Sequence, residues 1–272
     1  MALHEVLNRA AARLAAVSDT PRLDAELLLA HAAGTTREAL LLHGLSAIPA
    51  DFDRMVELRA AHEPVAYITG WREFWTIDLE VTPAVLIPRA DSETLIEAAV
   101  AHFAGTAGPR HVLDLGTGSG ALLLAALAEW PAAEGVGVDR SADAVAVARR
   151  NAARLGFAQR AAVIEGDWAA ASGRYELVLC NPPYVAEDAS LMRDVACFEP
   201  ARALYAGVDG LDDHRRISQL IGDRIAPGGI ACLEIGEDQA EAATALYAAT
   251  GLPVALRADL AGRSRCLILG PA

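Results

Sequence analysis

The chain opens on a helical rhythm. Leu3, Val6, Leu7, Ala10, Leu14 and Val17 recur at the i, i+3, i+4 and i+7 spacing that lines one face of an α-helix. Asp19-Thr20-Pro21 reads as the next start signal, with Thr20 at the N-cap and Pro21 in the first turn. The helix it opens carries Leu23, Leu27, Leu28 and Ala30 and is expected to stop near Gly34; shorter helices are predicted over 36–43 and 51–62. From Glu73 to Ile87 the period changes to two. Phe74, Thr76, Asp78, Glu80 and Thr82 alternate with Trp75, Ile77, Leu79 and Val81, which predicts a β-hairpin punctuated by Pro83 and Pro88. A helix over 92–103 follows. Beyond it, apolar runs at 111–115, 136–139, 162–165, 175–180 and 230–235 alternate with helical patterns at 121–129, 142–155 and 210–225. That alternation predicts βαβ units and a parallel sheet covered on both faces. After a helix over 239–249 come two more strands, 253–258 and 265–269. The link between them is about six residues, too short for a crossover helix, so they are expected to pair antiparallel. The predicted organisation is a helical domain over 1–72, a hairpin linker over 73–87 and an α/β domain of seven strands over 88–272.

Composition narrows the function. A chain of 272 residues, 53% apolar, can bury a sizeable core and accommodate two domains. There are 36 acidic against 23 basic residues, a net charge of −13, and every basic residue is arginine. The absence of lysine excludes a lysine nucleophile, a Schiff base, a P-loop lysine and a polybasic membrane patch. The acidity argues against nonspecific binding to a phosphate backbone. The first 20 residues alternate polar and apolar positions and include Glu5, Arg9, Arg13 and Asp19, unlike a secretory signal. The longest apolar runs, 27–33 and 121–127, are too short to span a bilayer. A soluble, cytoplasmic protein is expected, and a monomer, since no heptad seam is sustained. Cys180, Cys197, Cys232 and Cys266 show no paired spacing and read as small hydrophobes. No cluster has metal-ligand spacing. His4, His31, His43 and His62 read as surface or satisfied core, and His214 with Arg215 and Arg216 as a solvated helix face.

Candidate chemistry begins at Asp114-Leu-Gly116-Thr117-Gly118-Ser119-Gly120, which ends a strand and opens a helix. Glycines allow a tight turn and close approach of backbone to a ligand. The spacing GxGxG differs from the dinucleotide fingerprint GxGxxG. The next strand ends in Asp139, 19 residues after Gly120, where an acid can accept both hydroxyls of a ribose. Both NAD and S-adenosylmethionine contain such a ribose. The third strand runs into Asp167-Trp168, where a ring can stack on adenine and a carboxylate can accept from its amino group; Trp168 as a plain core residue is the alternative. Asp114 either reaches the cofactor's amino group or caps the turn.

The fourth strand runs directly into Asn181-Pro182-Pro183-Tyr184. Ligands bind at the carboxyl ends of strands in such sheets. The prolines stiffen the loop and remove two N–H donors. The Asn181 side-chain oxygen and the Pro182 carbonyl then offer two acceptors to one NH2 group, and Tyr184 offers a ring face. Amide and exocyclic base nitrogens are poor nucleophiles because the lone pair is delocalised. Holding both hydrogens draws such a nitrogen toward tetrahedral geometry, so catalysis rests on positioning and charge.

These residues resemble a known family. The seven-stranded sheet with a terminal antiparallel pair resembles that of methyltransferases using S-adenosylmethionine, and NPPY after the fourth strand is similar to that of amino-directed members. The whole chain resembles the release-factor glutamine methyltransferase family. The resemblance runs through Pro64-Val-Ala-Tyr67-Ile-Thr-Gly70, Phe74, Leu86-Ile-Pro88-Arg89-Ala-Asp-Ser-Glu93, the 114–120 turn, Asp139, Gly166-Asp-Trp168, NPPY and Phe198-Glu-Pro200 with Ala203-Leu204. It implies a Rossmann-like α/β fold with a helical substrate-recognition domain. It also implies methylation of the GGQ-loop glutamine of class 1 peptide chain release factors. Gly116, Thr117, Gly118, Ser119, Gly120, Asp139, Asp167, Trp168 and Asn181 would hold S-adenosylmethionine. Asn181, Pro182, Pro183 and Tyr184 would hold the substrate amide, with Asn181, Pro182 and Tyr184 catalytic. No metal is implied. Ala90 and Ser92 depart from the family's usual Pro and common Thr.

The nearest rival is a DNA adenine-N6 methyltransferase, which needs a basic groove to hold DNA and extrude a base. The stretch 181–241 instead carries 12 acids against five arginines, −7 of the total. An acidic rim would suit a basic factor domain and repel free nucleic acid, although ordinary solvated surface would look the same. A non-catalytic S-adenosylmethionine-binding adaptor would not need the two amide acceptors.

Overall fold

The computed structural model describes residues 3–270. Met1, Ala2, Pro271 and Ala272, the outer tips of the two end domains expected above, lie outside the described residues. The chain divides into two compact units. One takes the described residues up to Trp71 together with Leu191–Phe198; the other takes Arg72–Ser190 and the described residues from Glu199 on.

The first unit contains α1 (Leu3–Leu14), α2 (Pro21–Ala32), α3 (Arg37–His43), α4 (Phe52–Ala60) and α5 (Val65–Thr69). The predicted stripe of α1 is buried: Val6, Leu7, Ala10 and Leu14 pack with Leu28, Leu29, Leu40, Phe52 and Val56. Thr20 does precede α2, but its hydroxyl caps no backbone N–H, lying instead 3.5 Å from Asp24 Oδ1. Thr36 does cap α3, accepting from the Ala39 N–H at 3.2 Å. Inside the bundle, Arg59 Nε donates to Asp24 at 2.8 Å and Arg59 also reaches the Val17 carbonyl. The Nη2 that reaches Val17 also lies 3.8 Å from Asp194, which ties the 191–198 segment to these helices. The residue spacing did not predict α5 or the short helix in that segment.

The second unit takes, from Arg72 on, a short hairpin, β1 (Trp71–Phe74) and β2 (Ile77–Glu80). The pairing is narrower than the predicted 73–87. Trp75 turns the chain at φ 55°, held by its N–H donating to Glu93 Oε1, and 81–87 form no strand. The α/β body then runs α6 (Glu93–His102), β3 (His111–Leu115), α7 (Ala121–Glu129), β4 (Glu134–Asp139), α8 (Ala142–Arg154), β5 (Ala161–Glu165), β6 (Tyr175–Cys180), α9 (Arg193–Phe198, the helix of the other unit), α10 (Asp212–Ser218), β7 (Ile225–Glu234), α11 (Ala240–Ala248), β8 (Val254–Ala258) and β9 (Ser264–Leu269). The helix predicted over 210–225 is two short pieces, α10 and a 3-10 turn over 221–223.

The seven strands lie in the order β5-β4-β3-β6-β7-β9-β8, and β9 alone runs against the rest. The two C-terminal strands pair antiparallel, as their short link requires, but β9 lies inside and β8 forms the edge. Burial explains this: Arg265, Cys266, Leu267 and Leu269 are covered, whereas β8 is largely open. One face of the sheet packs against α6, α7, α8 and the hairpin, the other against α10 and α11. With both faces covered, β3 and β6 are apolar runs without alternation. α7 is buried at every position from Leu122 to Leu127, between the sheet and the hairpin.

Asn151 of α8, fully buried, fastens the hairpin to the body. Its Oδ1 accepts from the Glu80 N–H at 2.8 Å, and its Nδ2 donates to the Glu80 and Ser119 carbonyls, both at 2.9 Å. Asn151→Ala would strand three backbone groups and should lower unfolding stability by about 2–3 kcal/mol, measured by denaturant titration. A loss below about 0.5 kcal/mol would show that water replaces the amide fully.

Candidate active site

The strand order reverses between β3 and β6, so their carboxyl ends border a crevice. Their register pairs Leu115 with Cys180, which starts the glycine turn and the NPPY loop at the same level. Gly116, Gly118 and Gly120 all have positive φ (73°, 55° and 87°), a conformation that a side chain resists. The Gly116 and Thr117 N–H groups donate to the Val138 carbonyl and Gly120 N–H to that of Thr117, which closes the turn. A Cβ on Gly137 of β4 would lie 2.8 Å from Thr117 Oγ1, so that glycine lets the turn sit against the strand.

Asp114 caps the turn. Its Oδ2 accepts from Thr117 Oγ1 at 2.6 Å and from the Leu123 N–H at 3.2 Å, in the first turn of α7. Its Oδ1 is buried without a partner and the residue lines the pocket. Burial pushes its carboxyl up to about 7, helped by the nearby Asp139 charge and opposed by the two hydrogen bonds. Asp139 Oδ2 accepts from the Gly118 N–H and Oδ1 from the Ser141 N–H, both at 2.9 Å. The acid at the end of β4 is therefore locked to the glycine turn. Asp167 is exposed and accepts from the Ala169 N–H at 3.0 Å. Trp168 is half-buried, with its indole N–H donating to Asp213 at 3.1 Å. Its ring lies so near Gly116 that a Cβ there would come within 3.1 Å of it.

One pocket gathers Gly116, Thr117, Gly118, Ser119, Asp139, Asp167, Trp168, Asn181 and Pro183. Gly120, Pro182 and Tyr184 do not line it. Gly120 sits at the start of α7, Pro182 is buried, and the Tyr184 phenol turns toward Glu234. Asn181 Nδ2 donates to Ser92 Oγ at 3.0 Å, Ser92 donates to Glu234 Oε2, and Tyr184 donates to Glu234 Oε1 at 3.1 Å. Burial pushes the Glu234 carboxyl up to about 6, while Ser92, Arg265 and Tyr184 counteract it. Burial also raises the Tyr184 phenol, and the Glu234 charge adds to the effect. Gln239 holds the loop from behind: its Nε2 donates to the Tyr184 and Gly210 carbonyls at 3.0 and 3.1 Å.

Ser92, Glu234 and Gln239 were not among the predicted site residues. A lone acid closing the apolar run Ile230–Leu233 was the available signal for Glu234. The motif pieces Arg89 and Glu199 are also brought together as an ion pair, and Glu199 accepts from the Ile87 N–H at 3.2 Å. His214 is a correction. It is fully buried, its Nδ1 lies 3.1 Å from the Tyr247 hydroxyl, and burial pulls its pKa down to about 4. Charged neighbours in sequence masked it, while the partner lies on α11. Cys180, Cys232 and Cys266 are buried, as expected of small hydrophobes; Cys197 is exposed. Three of the twelve acids of 181–241, Glu199, Asp213 and Glu234, are internal rather than part of a rim. Among the described residues, no helix is long and apolar enough to cross a membrane.

The sheet order, with its single reversed strand and the pocket at the strand switch, defines an S-adenosylmethionine-dependent methyltransferase. Two family models match: PrmC N-terminal domain over 5–70 and Methyltransferase small domain over 92–202. A release factor glutamine methyltransferase of Rhodospirillum rubrum is 41% identical over 98% of this chain and 85% of its own length. That of Cereibacter sphaeroides is 43% identical over 96% and 95%, and that of Escherichia coli 38% identical over 86% of each. The chain belongs to the release factor glutamine methyltransferase family. Among solved structures, the hMettl16 catalytic domain in complex with an RNA hairpin shares the fold, with TM-score 0.60 and 15% identity over 89% of this chain and 92% of that one.

The raised carboxyl of Asp114 has a consequence for stability. Between its ordinary value of 3.8 and about 7, the folded chain holds a proton that the unfolded chain has lost. Stability contributed here falls as pH rises through that window and is level above it. Asp114→Asn should therefore gain on the ligand-free wild type by a few kcal/mol on going from pH 5 to pH 8, read from paired melting curves. An unchanged difference at the two pH values would show that Asp114 is ionised throughout.

Proposed function

We propose that this chain methylates the side-chain amide nitrogen of the GGQ glutamine in class 1 peptide chain release factors, with S-adenosylmethionine as donor. The observation that carries the reading is the placement of Asn181. It leaves β6 beside Gly116, lines the pocket of the glycine turn, and has its nitrogen engaged behind it by Ser92. Family membership supports the choice of substrate, since the relatives are named for release factor glutamine.

The pocket's chemistry fits the donor. The side-chain-free cradle at Gly116 and Gly118, closed behind by Gly120, the carboxylate of Asp139 and the ring of Trp168 suit an aminoacyl chain, a ribose and an adenine, with Thr117, Ser119, Asp167 and Asn181 completing the set. S-adenosylmethionine, when bound, supplies a methyl group on a positively charged sulfur. Asn181 Oδ1 and the Pro182 carbonyl accept from the substrate NH2 and hold the nitrogen. Pro183 stiffens the loop, and Tyr184 gives the amide a flat apolar wall. Because the amide proton becomes acidic only as the new bond forms, holding the nitrogen does the work that a strong base would otherwise do. The helical domain 1–72 is assigned to recognition of the factor, 88–272 to the transfer, and 73–87 to the link between them.

Purified protein with methyl-labelled S-adenosylmethionine should label release factor, and should label neither a factor whose GGQ is changed to GGA nor DNA. Asn181→Ala should lower the rate at least about 100-fold while cofactor binding, weakened by the loss of one pocket contact, stays measurable by calorimetry. Label on DNA but not on factor would overturn the reading.

Exposed acids remain around the NPPY loop, among them Glu187, Asp188, Glu237 and Asp238. Association with a basic factor domain should weaken as salt rises from about 0.05 to 0.5 M. Binding indifferent to salt would assign that charge to solubility alone.

A further inference from the structure

Three side chains from three separate elements converge behind the NPPY loop. Ser92 lies in the turn before α6 and is 3% exposed; Glu234 ends β7 and is 1% exposed; Asn181 follows β6. Their hydrogen bonds have a fixed direction. A carboxylate offers only acceptors. Glu234 Oε2 faces Ser92 Oγ and Oε1 faces the Tyr184 hydroxyl, so both hydroxyls must donate to it. Ser92 has one hydroxyl hydrogen, and that hydrogen goes to Glu234. Its remaining lone pairs face the Asn181 amide at 3.0 Å. Only the amide nitrogen can meet them favourably. Turned the other way, Asn181 would set its oxygen against a serine oxygen with no hydrogen left to give.

We propose that Glu234 is a positioning residue for methyl transfer: through Ser92 it commits the Asn181 nitrogen and leaves Oδ1 as the end presented to the substrate amide. The inference rests on the proposed reading that Asn181 accepts from an amide NH2. A glutamine amide needs an acceptor there. An NH2 in the same place would repel it, so the direction of a bond two residues away decides whether the loop can bind its substrate productively. The same carboxylate fixes the Tyr184 ring through the other oxygen.

This arrangement needs the ionised form. A protonated carboxyl has one donor and one acceptor, so it cannot accept from Ser92 and Tyr184 together. Burial pushes Glu234 up to about 6. The groups facing it are the Tyr184 phenol, Arg265 and Cys266 of β9, Asp91 beside Ser92, and Cys180 of β6. Arg265 favours the charged form and Asp91 disfavours it. Above that value the Ser92 bond has one direction and the productive orientation is enforced; as pH falls through it, a proton carried on Oε2 reverses that bond and the orientation is weakened.

The test combines kinetics with a readout that needs no turnover. Glu234→Gln also has one donor end and one acceptor end; kcat should fall about 10- to 100-fold, with S-adenosylmethionine affinity by calorimetry within about 2-fold of wild type. Wild-type kcat should fall on the acid side with a midpoint near pH 6, and this limb should vanish in Glu234→Gln. Ser92→Ala should lose rate comparably, and Ser92→Thr, which restores the hydroxyl, should recover it. The side-chain amide signals of Asn181, identified by their loss in Asn181→Ala, should shift with the same midpoint in wild type and not in Glu234→Gln or Ser92→Ala. A variant Glu234→Gln with wild-type kcat and an intact acid limb would overturn the proposal. So would Asn181 signals that ignore both variants. A wild type that labels no release factor would sink the substrate reading alone, because the Asn181 signals still decide the orientation.

Discussion

The register of β3 against β6 is the constraint on which the rest depends. These parallel neighbours end together, Leu115 opposite Cys180, and the sheet order turns back between them. Whatever follows one strand must share space with whatever follows the other. Gly116 is accordingly a tight position: an added Cβ would come 3.1 Å from the Trp168 ring and into contact with the Asn181 carbonyl. A shift of two residues in this pairing would keep every side chain on its own face of the sheet. It would nevertheless move the glycine turn away from the loop that bears Asn181. The apolar cores on both faces hold that register. The reactive edge is thus fixed by residues that take no part in any chemistry.

A close-packed core is indifferent to which end of an amide faces a ligand, so orientation must come from buried polar groups. Asp114, Asn151, Glu234 and Gln239 occupy that role from β3, α8, β7 and the start of α11. Each ties a loop at the carboxyl edge to backbone or hydroxyl groups: Asp114 to Thr117 and Leu123, Asn151 to Glu80 and Ser119, Gln239 to Tyr184 and Gly210. Burying a carboxylate is unfavourable, which the raised values of Asp114 and Glu234 express directly. An apolar residue of like volume would often stabilise the fold more. What they supply is direction: an ionised Glu234 can only accept, so it dictates where the Ser92 and Tyr184 hydrogens point.

Elements built on many residues were legible from the chain alone. His111–Leu115, Tyr175–Cys180 and Ala121–Glu129 fall where the apolar runs place them, because several buried side chains set each boundary. The glycine turn was legible because three glycines share one conformational need. Features that rest on one long-range partner were not. β9 lies inside the sheet because its own side chains are covered, a fact that pairing length alone does not reveal. His214 reads as solvent-facing among Asp212, Asp213, Arg215 and Arg216, yet it turns inward to Tyr247 on another helix. The link from Asn181 through Ser92 to Glu234 spans separations of 89 and 142 residues, and no local period encodes it.

The acidity of the chain shows the same difference between a count and a placement. Twelve carboxylates between 181 and 241 suggest a uniform negative rim when taken as a composition. Three of them are inside: Glu199 with Arg89, Asp213 with Trp168 and Arg216, Glu234 with Ser92 and Tyr184. Two more, Asp209 and Asp212, share Arg215 on the surface. The exposed acids act at a distance on a charged partner, more weakly where an arginine is paired with them, as at Asp223 and Glu237, and salt screens them there. The buried members are screened much less and act over a single hydrogen bond. An acid in such a stretch therefore belongs to recognition or to orientation according to whether water or a donor side chain meets it. For Glu234 the donors on both oxygens settle that it orients.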